Sequence, residues 1–228
     1  MKKIVLSVAA VFAFGFAAQA QEKSVYGFKQ SDVFLEGSFG IKSTTFKPEV
    51  GDKVNVTSFN VNPKIGYMLS DKVAVGVSAA FGKNSTLDEV FEDRYGLNSD
   101  FFAGDHVKNT YAGVFGRYNF LQLGNRFTTY TEVGIGFNQF KGNTMENSMT
   151  PSYSAEISGV KAGLTLGFNY FVTPSIALSF NLGDVFAYES YNLKVDGSKE
   201  ATISNTESNL NVFNNFFDNA KFGMTYKF

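Results

Sequence analysis

Eight stretches of this chain alternate apolar and polar residues with a period of two, and that alternation limits the fold more than any other feature. They are VFLEGSFGIKS (33–43), FNVNPKIGYML (59–69), VAVGVSAAF (73–81), TYAGVFGRYNF (110–120), TYTEVGIGF (129–137), VKAGLTLGFNY (160–170), IALSFNL (176–182) and AKFGMTYKF (220–228). In the first, Val33, Leu35, Phe39 and Ile41 fall on one face and Glu36, Ser38, Gly40 and Lys42 on the other, where only Phe34 is large. Side chains two apart share a face of a strand, so each stretch predicts a strand with one apolar and one polar side.

The connections alternate as strictly as the strands. Short links near Asp71, Gly124 and Val172–Ser175 separate long ones at about 46–54, 82–109, 138–159 and 183–219. That is the layout of an up-and-down meander with short turns at one end and long loops at the other. An even strand number returns both termini to the short-turn end.

Alternation alone does not say which face is outside, because a soluble barrel can turn its apolar face inward around a ligand. Three features place it outward, against lipid. The polar face is rich in Gly, Ala and Ser, as the inside of a narrow barrel requires. The aromatics Tyr67, Tyr118, Phe120, Phe168, Tyr170, Tyr226 and Phe228 gather near the short turns, where a girdle at a membrane interface would lie. The loop lengths match the short inner turns and long outer loops of outer-membrane barrels. Hydrocarbon cannot hydrogen-bond a free strand edge, so such a sheet must close. The expected fold is all-β: an eight-stranded antiparallel up-and-down transmembrane β-barrel.

The amino terminus fits that destination. MKKIVLSVAAVFAFGFAAQAQ carries Lys2 and Lys3, a short apolar run and Ala18-Gln19-Ala20, the layout of a secretory signal peptide. The expected division is a cleaved signal over 1–20 and a barrel domain over 21–228. Without Lys2 and Lys3, 18 basic residues (20 − 2) face 21 acidic ones, a net charge of −3, so nucleic acid is not an expected partner. There is no cysteine and hence no disulfide framework.

The signal peptide, the eight alternating strands, NPKIGYML before a tight turn, GRYNF near the middle and the aromatic final residue resemble small outer-membrane β-barrel proteins of Gram-negative bacteria, the OmpA/OmpX/OmpW-like class. The resemblance implies a fold and an outer-membrane location but no single activity. It implies that Tyr226 and Phe228 form a signal read by the outer-membrane assembly machinery. It also points to outer-membrane lipid and lipopolysaccharide as surroundings, to an extracellular ligand reached through the long loops, and to a monomer. No peptidoglycan-binding domain follows the barrel, so a tethering role is not expected.

With the apolar face outward, Glu36, Lys42, Lys64, Arg117, Glu132, Lys161, Lys221 and Lys227 point into the lumen. Buried charge must be paired, so these residues predict an interior network that plugs the barrel, with Arg117 meeting Glu132 across one hairpin and Glu36 meeting Lys64 or a lysine of the last strand. The sharper reading is a gate whose ion pairs exchange. Function is therefore expected in envelope structure or surface interaction, with a narrow porin-like channel for small solutes or ions as the alternative. A lipid-modifying enzyme stands further back: the single histidine, His106, has no recognisable partner for nucleophilic catalysis. The acidic run Asp88, Glu89, Glu92 and Asp93 lacks the spacing of a calcium loop and suits a short capped helix better. No cofactor or metal is expected. Asp196-Gly197 is a hairpin signal between strands seven and eight; an ordinary extension of the barrel wall is expected there, with a projecting ribbon whose edge suits strand addition as the alternative.

Overall fold

The computed structural model describes residues 25–46, 54–84, 107–143, 154–208 and 221–228. They form nine antiparallel strands: β1 (Val33–Phe46), β2 (Val54–Met68), β3 (Val73–Asn84), β4 (Val107–Leu123), β5 (Phe127–Asn143), β6 (Ser154–Phe171), β7 (Ile176–Val195), β8 (Ser198–Ser208) and β9 (Lys221–Lys227). Each strand from β1 to β7 pairs with the next, and β9 lies between β7 and β1, which closes the barrel. There are eight staves because β8 and β9 share one: β9 pairs with Ile176–Asn181 of β7 and β8 with Phe186–Val195 above it. The closing seam is short, running from Phe34↔Lys227 to Ser38↔Gly223.

The hairpin signalled by Asp196-Gly197 is present within the 183–219 link: β7 continues to Val195 and turns back through Asp196 (φ 46°) and Gly197 (φ 82°) into β8. Two successive positive φ values are the geometry of a two-residue I′ hairpin, which explains the Asp-Gly pair. Among the described residues β8 pairs with β7 alone. His106, the acidic run at 88–93, the signal segment and the side chain of Lys42 lie outside the described residues.

Outward positions carry the apolar residues. Val77, Val114, Val133 and Ile135 are all more than half exposed on the outer wall, which is tolerable only against lipid. Phe168 stacks on Phe180 at 4.5 Å, and Phe180 meets Phe222 edge-on at 4.8 Å, so the lipid face carries a cross-strand aromatic ladder over β6, β7 and β9. Higher up the same face turns polar. On β5 and β6 the outward pair Phe137↔Val160 is followed by Gln139↔Ser158 and Lys141↔Glu156. Gln139 and Ser158 donate to Glu156 at 3.0 and 3.1 Å, and Lys141 lies 3.3 Å from it. Desolvation raises the Glu156 carboxyl, but these hydrogen bonds and the Lys141 charge outweigh it and hold the group below its ordinary value. Between Tyr170 and Val160 lies the length of one tilted membrane strand, about 9–11 residues; the β5–β6–β7 ladder continues beyond that length to Ser154 and Val195.

Candidate functional site: the lumen

Large side chains fit inside so narrow a barrel only where the facing wall is flat. Phe34 lies over Gly66, Phe115 over Gly76, and Tyr130 over Gly167, each pair directly opposite in register. A Cβ at those glycines would sit 2.2, 2.5 and 2.5 Å from the ring above it. The glycines of the polar face are therefore seats for rings as well as a response to taper.

The rings form the setting for one guanidinium. Arg117 is buried between Tyr130, Phe34 and Phe115, at 3.9, 5.0 and 5.6 Å from their ring centres. Its Nη1 and Nη2 donate to the two oxygens of Glu36 at 2.8 and 3.0 Å. Nε and Nη2 also donate to Glu132 Oε2 at 2.9 and 2.6 Å. The other Glu132 oxygen accepts from Lys64, which stands 3.9 Å from Glu36, and Thr225 donates to Glu36 at 3.2 Å. Two cations and two carboxylates, plus one hydroxyl, thus join β1, β2, β4, β5 and β9 across the lumen. Bidentate Arg–carboxylate contact is the strongest geometry available to such a pair.

Below the network the periplasmic end is filled. Phe28, Phe34, Met68, Ala74, Phe115, Phe171 and Ala177 make one buried apolar cluster. Phe28 comes from the segment before β1, which folds under the barrel and places its ring 5.2 Å from both Phe34 and Phe171. Sequence reading missed this segment because it has no periodicity. Above the network lies a cavity of about 410 Å³, lined by Lys64, Glu132, Tyr111, Asn138, Lys161 and Asp184 among others.

The expected lumen residues therefore do not form a single network. Glu36, Lys64, Arg117 and Glu132 meet. Lys161 pairs instead with Asp184 at 2.8 Å and Glu189 at 3.2 Å on β7. Asp184 was hidden in what read as a loop. Register shifts between β6 and β7, with Gly183 at φ 85°, break the alternation there and turn Asp184 inward. Lys221 lines the upper cavity. Lys227 lies at the opposite end, against the segment before β1. Tyr226 is covered rather than open to lipid, with the Phe228 ring edge-on at 4.8 Å; the Phe228 amide donates to Val33 O at 2.9 Å.

A family model described as "Outer membrane protein beta-barrel domain" matches residues 6–228. Among solved structures, the outer membrane protein OprG from Pseudomonas aeruginosa is 16% identical with a TM-score of 0.51, over 90% of this chain and 99% of that one. Neisserial surface protein A is 16% identical with a TM-score of 0.47, over 86% and 97%. The Escherichia coli outer membrane protein W is 14% identical with a TM-score of 0.46, over 88% and 99%. At these identities the likeness to OprG speaks to fold alone. No curated protein matches the chain in sequence.

Proposed function

The chain belongs to the outer membrane protein beta-barrel domain family, and from that premise we propose that it is a sealed, non-enzymatic barrel of the bacterial outer membrane that works in envelope structure and surface interaction. The observation that carries this reading is the Arg117 pair. Its side chain is fully buried and bonded to Glu36 on one side of the lumen and Glu132 on the other, with a packed apolar layer beneath. A solute would have to break charge-assisted bonds in a desolvated site to pass. The β7–β8 hairpin supports an outward-facing role: β8 is exposed along nearly its whole length, and an extracellular partner could add a strand there.

Reconstitution into planar bilayers tests the seal. The unaltered protein is expected to give no steady conductance at moderate voltage, and a stable open level would overturn the reading. A second reading is favoured by one detail, that Arg117 and Lys64 share the same two carboxylates. Exchange of partners could gate a narrow channel for small ions. That reading requires measurable current in the unaltered protein, so a silent bilayer removes it.

A further inference from the structure

The residues before β1 are held as a bound peptide is held. Ser31 donates its amide to Met68 O and Met68 donates to Asp32 O, both at 2.9 Å, so the segment extends the β1–β2 ladder through a bulge at Ser31 (φ 72°). The Gln30 amide donates to Asp71 at 2.8 Å. The ammonium of Lys227, on β9, donates to the carbonyls of Gly27 at 2.7 Å and Val25 at 3.0 Å and stands 3.5 Å from Asp32. Arg126 donates to the Tyr26 hydroxyl at 3.0 Å. The Phe28 side chain fills an apolar pocket walled by Phe34, Met68, Ala74, Phe115, Phe171 and Ala177 of the barrel, with Tyr26 of its own segment packed alongside. Gly27, between the two rings, has φ +83°, a conformation L side chains rarely adopt.

Backbone groups read by fixed barrel groups, one deep pocket for a ring, and a backbone angle that favours glycine are the elements of sequence-selective peptide recognition. We propose that the periplasmic mouth is a peptide-binding site, occupied in cis by Tyr26-Gly27-Phe28, and that its ligand class is an extended peptide with a phenylalanine directly after a glycine. Occupation in cis makes the segment a stopper. A periplasmic polypeptide of the same pattern enters only once that tethered segment, favoured by its high effective concentration, has left the mouth. The site forms the lower layer of the proposed seal, but peptide binding and ion current are scored separately, so either can fail without the other.

The test uses the full chain in detergent micelles and a fluorescent synthetic peptide, SVYGFKQSD, which copies residues 24–32. Unaltered protein is expected to leave the peptide free, because its own segment fills the mouth. The full-length Phe28→Ser protein should bind it saturably. Loss of a buried phenylalanine from the probe should weaken that binding about 10- to 150-fold. Replacing the probe glycine by valine, or Lys227→Met in the Phe28→Ser protein, should weaken it as well. Equal binding to both proteins, absence of binding to a folded Phe28→Ser protein, or indifference to the glycine would overturn the proposal. Should Phe28→Ser fail to fold, hydrogen exchange on unaltered protein decides: the Gln30 and Ser31 amides must be protected as strongly as those of β2, and rapid exchange sinks the idea.

Discussion

The guanidinium of Arg117 lies 3.9 Å from the centre of the Tyr130 ring, and that ring in turn rests on the bare backbone of Gly167. Backbone, ring and cation form a stack that fixes how high the Arg117 charge sits in the lumen. A methyl group at Gly167 would fall 2.5 Å from Tyr130 and 2.6 Å from the carbonyl of Phe180. Gly167→Ala is therefore expected to cost about 1–3 kcal/mol through overpacking, read as a lowered urea midpoint in micelles. Gly124→Ala, in open space though at φ 62°, serves as the comparison: it carries backbone strain without a clash. A Gly167 variant as stable as the parent would mean that the ring is not seated there.

Removing one member of the ion network should hurt more than removing a pair. Arg117→Met leaves Glu36 and Glu132 buried with only Lys64 to share, and loss of one partner from such a pair costs about 3–5 kcal/mol. Adding Glu36→Gln leaves the neutral Lys64–Glu132 pair intact and should recover much of that loss. Equilibrium unfolding of the two variants checks the order. If the double variant were the less stable, the charges would not be acting as a compensated set.

The two closures stand in series, which gives a non-additive expectation for current. Arg117→Ala retains the Phe28 layer and Phe28→Ser retains the Arg117 network, so each alone should stay silent in a planar bilayer. Only the combination opens a continuous path. A single variant conducting as well as the double would show that one layer carries the whole seal.

The wall was legible in the sequence wherever lipid dictates it. Between Tyr170 and Val160 every outward residue of β6 meets hydrocarbon or its edge, so alternation is strict. Above Val160 the outward face carries Ser158 and Glu156 in place of apolar residues, and the strand disappears from the pattern although the ladder continues. Asp184 was lost for a related reason, since two register shifts on either side of it flip the alternation at that residue and restore it by Phe186. The lumen was half legible. Arg117 and Glu132 face each other on one hairpin, and arithmetic finds them. The seats of Phe34, Phe115 and Tyr130 depend on register between strands, which no single stretch contains. Phe34 stood out as the one large residue on a polar face, and it proved to be the ring on which the periplasmic plug is built.

The change in outward chemistry also sets a depth scale that substitution can read. Val133 is 60% exposed at mid-height on the lipid side of β5, and Gln139 lies on the same face three outward positions higher, beyond Phe137. Arginine on the lipid face of a barrel costs about 2–4 kcal/mol at the bilayer midplane and about 0–1 near the interface. Val133→Arg should therefore sharply lower folding stability in lipid vesicles, whereas Gln139→Arg should leave it almost unchanged and gain attraction to nearby Glu156. Both proteins can be compared in vesicles of thinner and thicker lipid. Thickening the bilayer should bring Gln139→Arg toward the penalty of Val133→Arg. Equal costs in the first vesicle would mean that the bilayer edge lies above Lys141 and Glu156, with that pair buried in lipid.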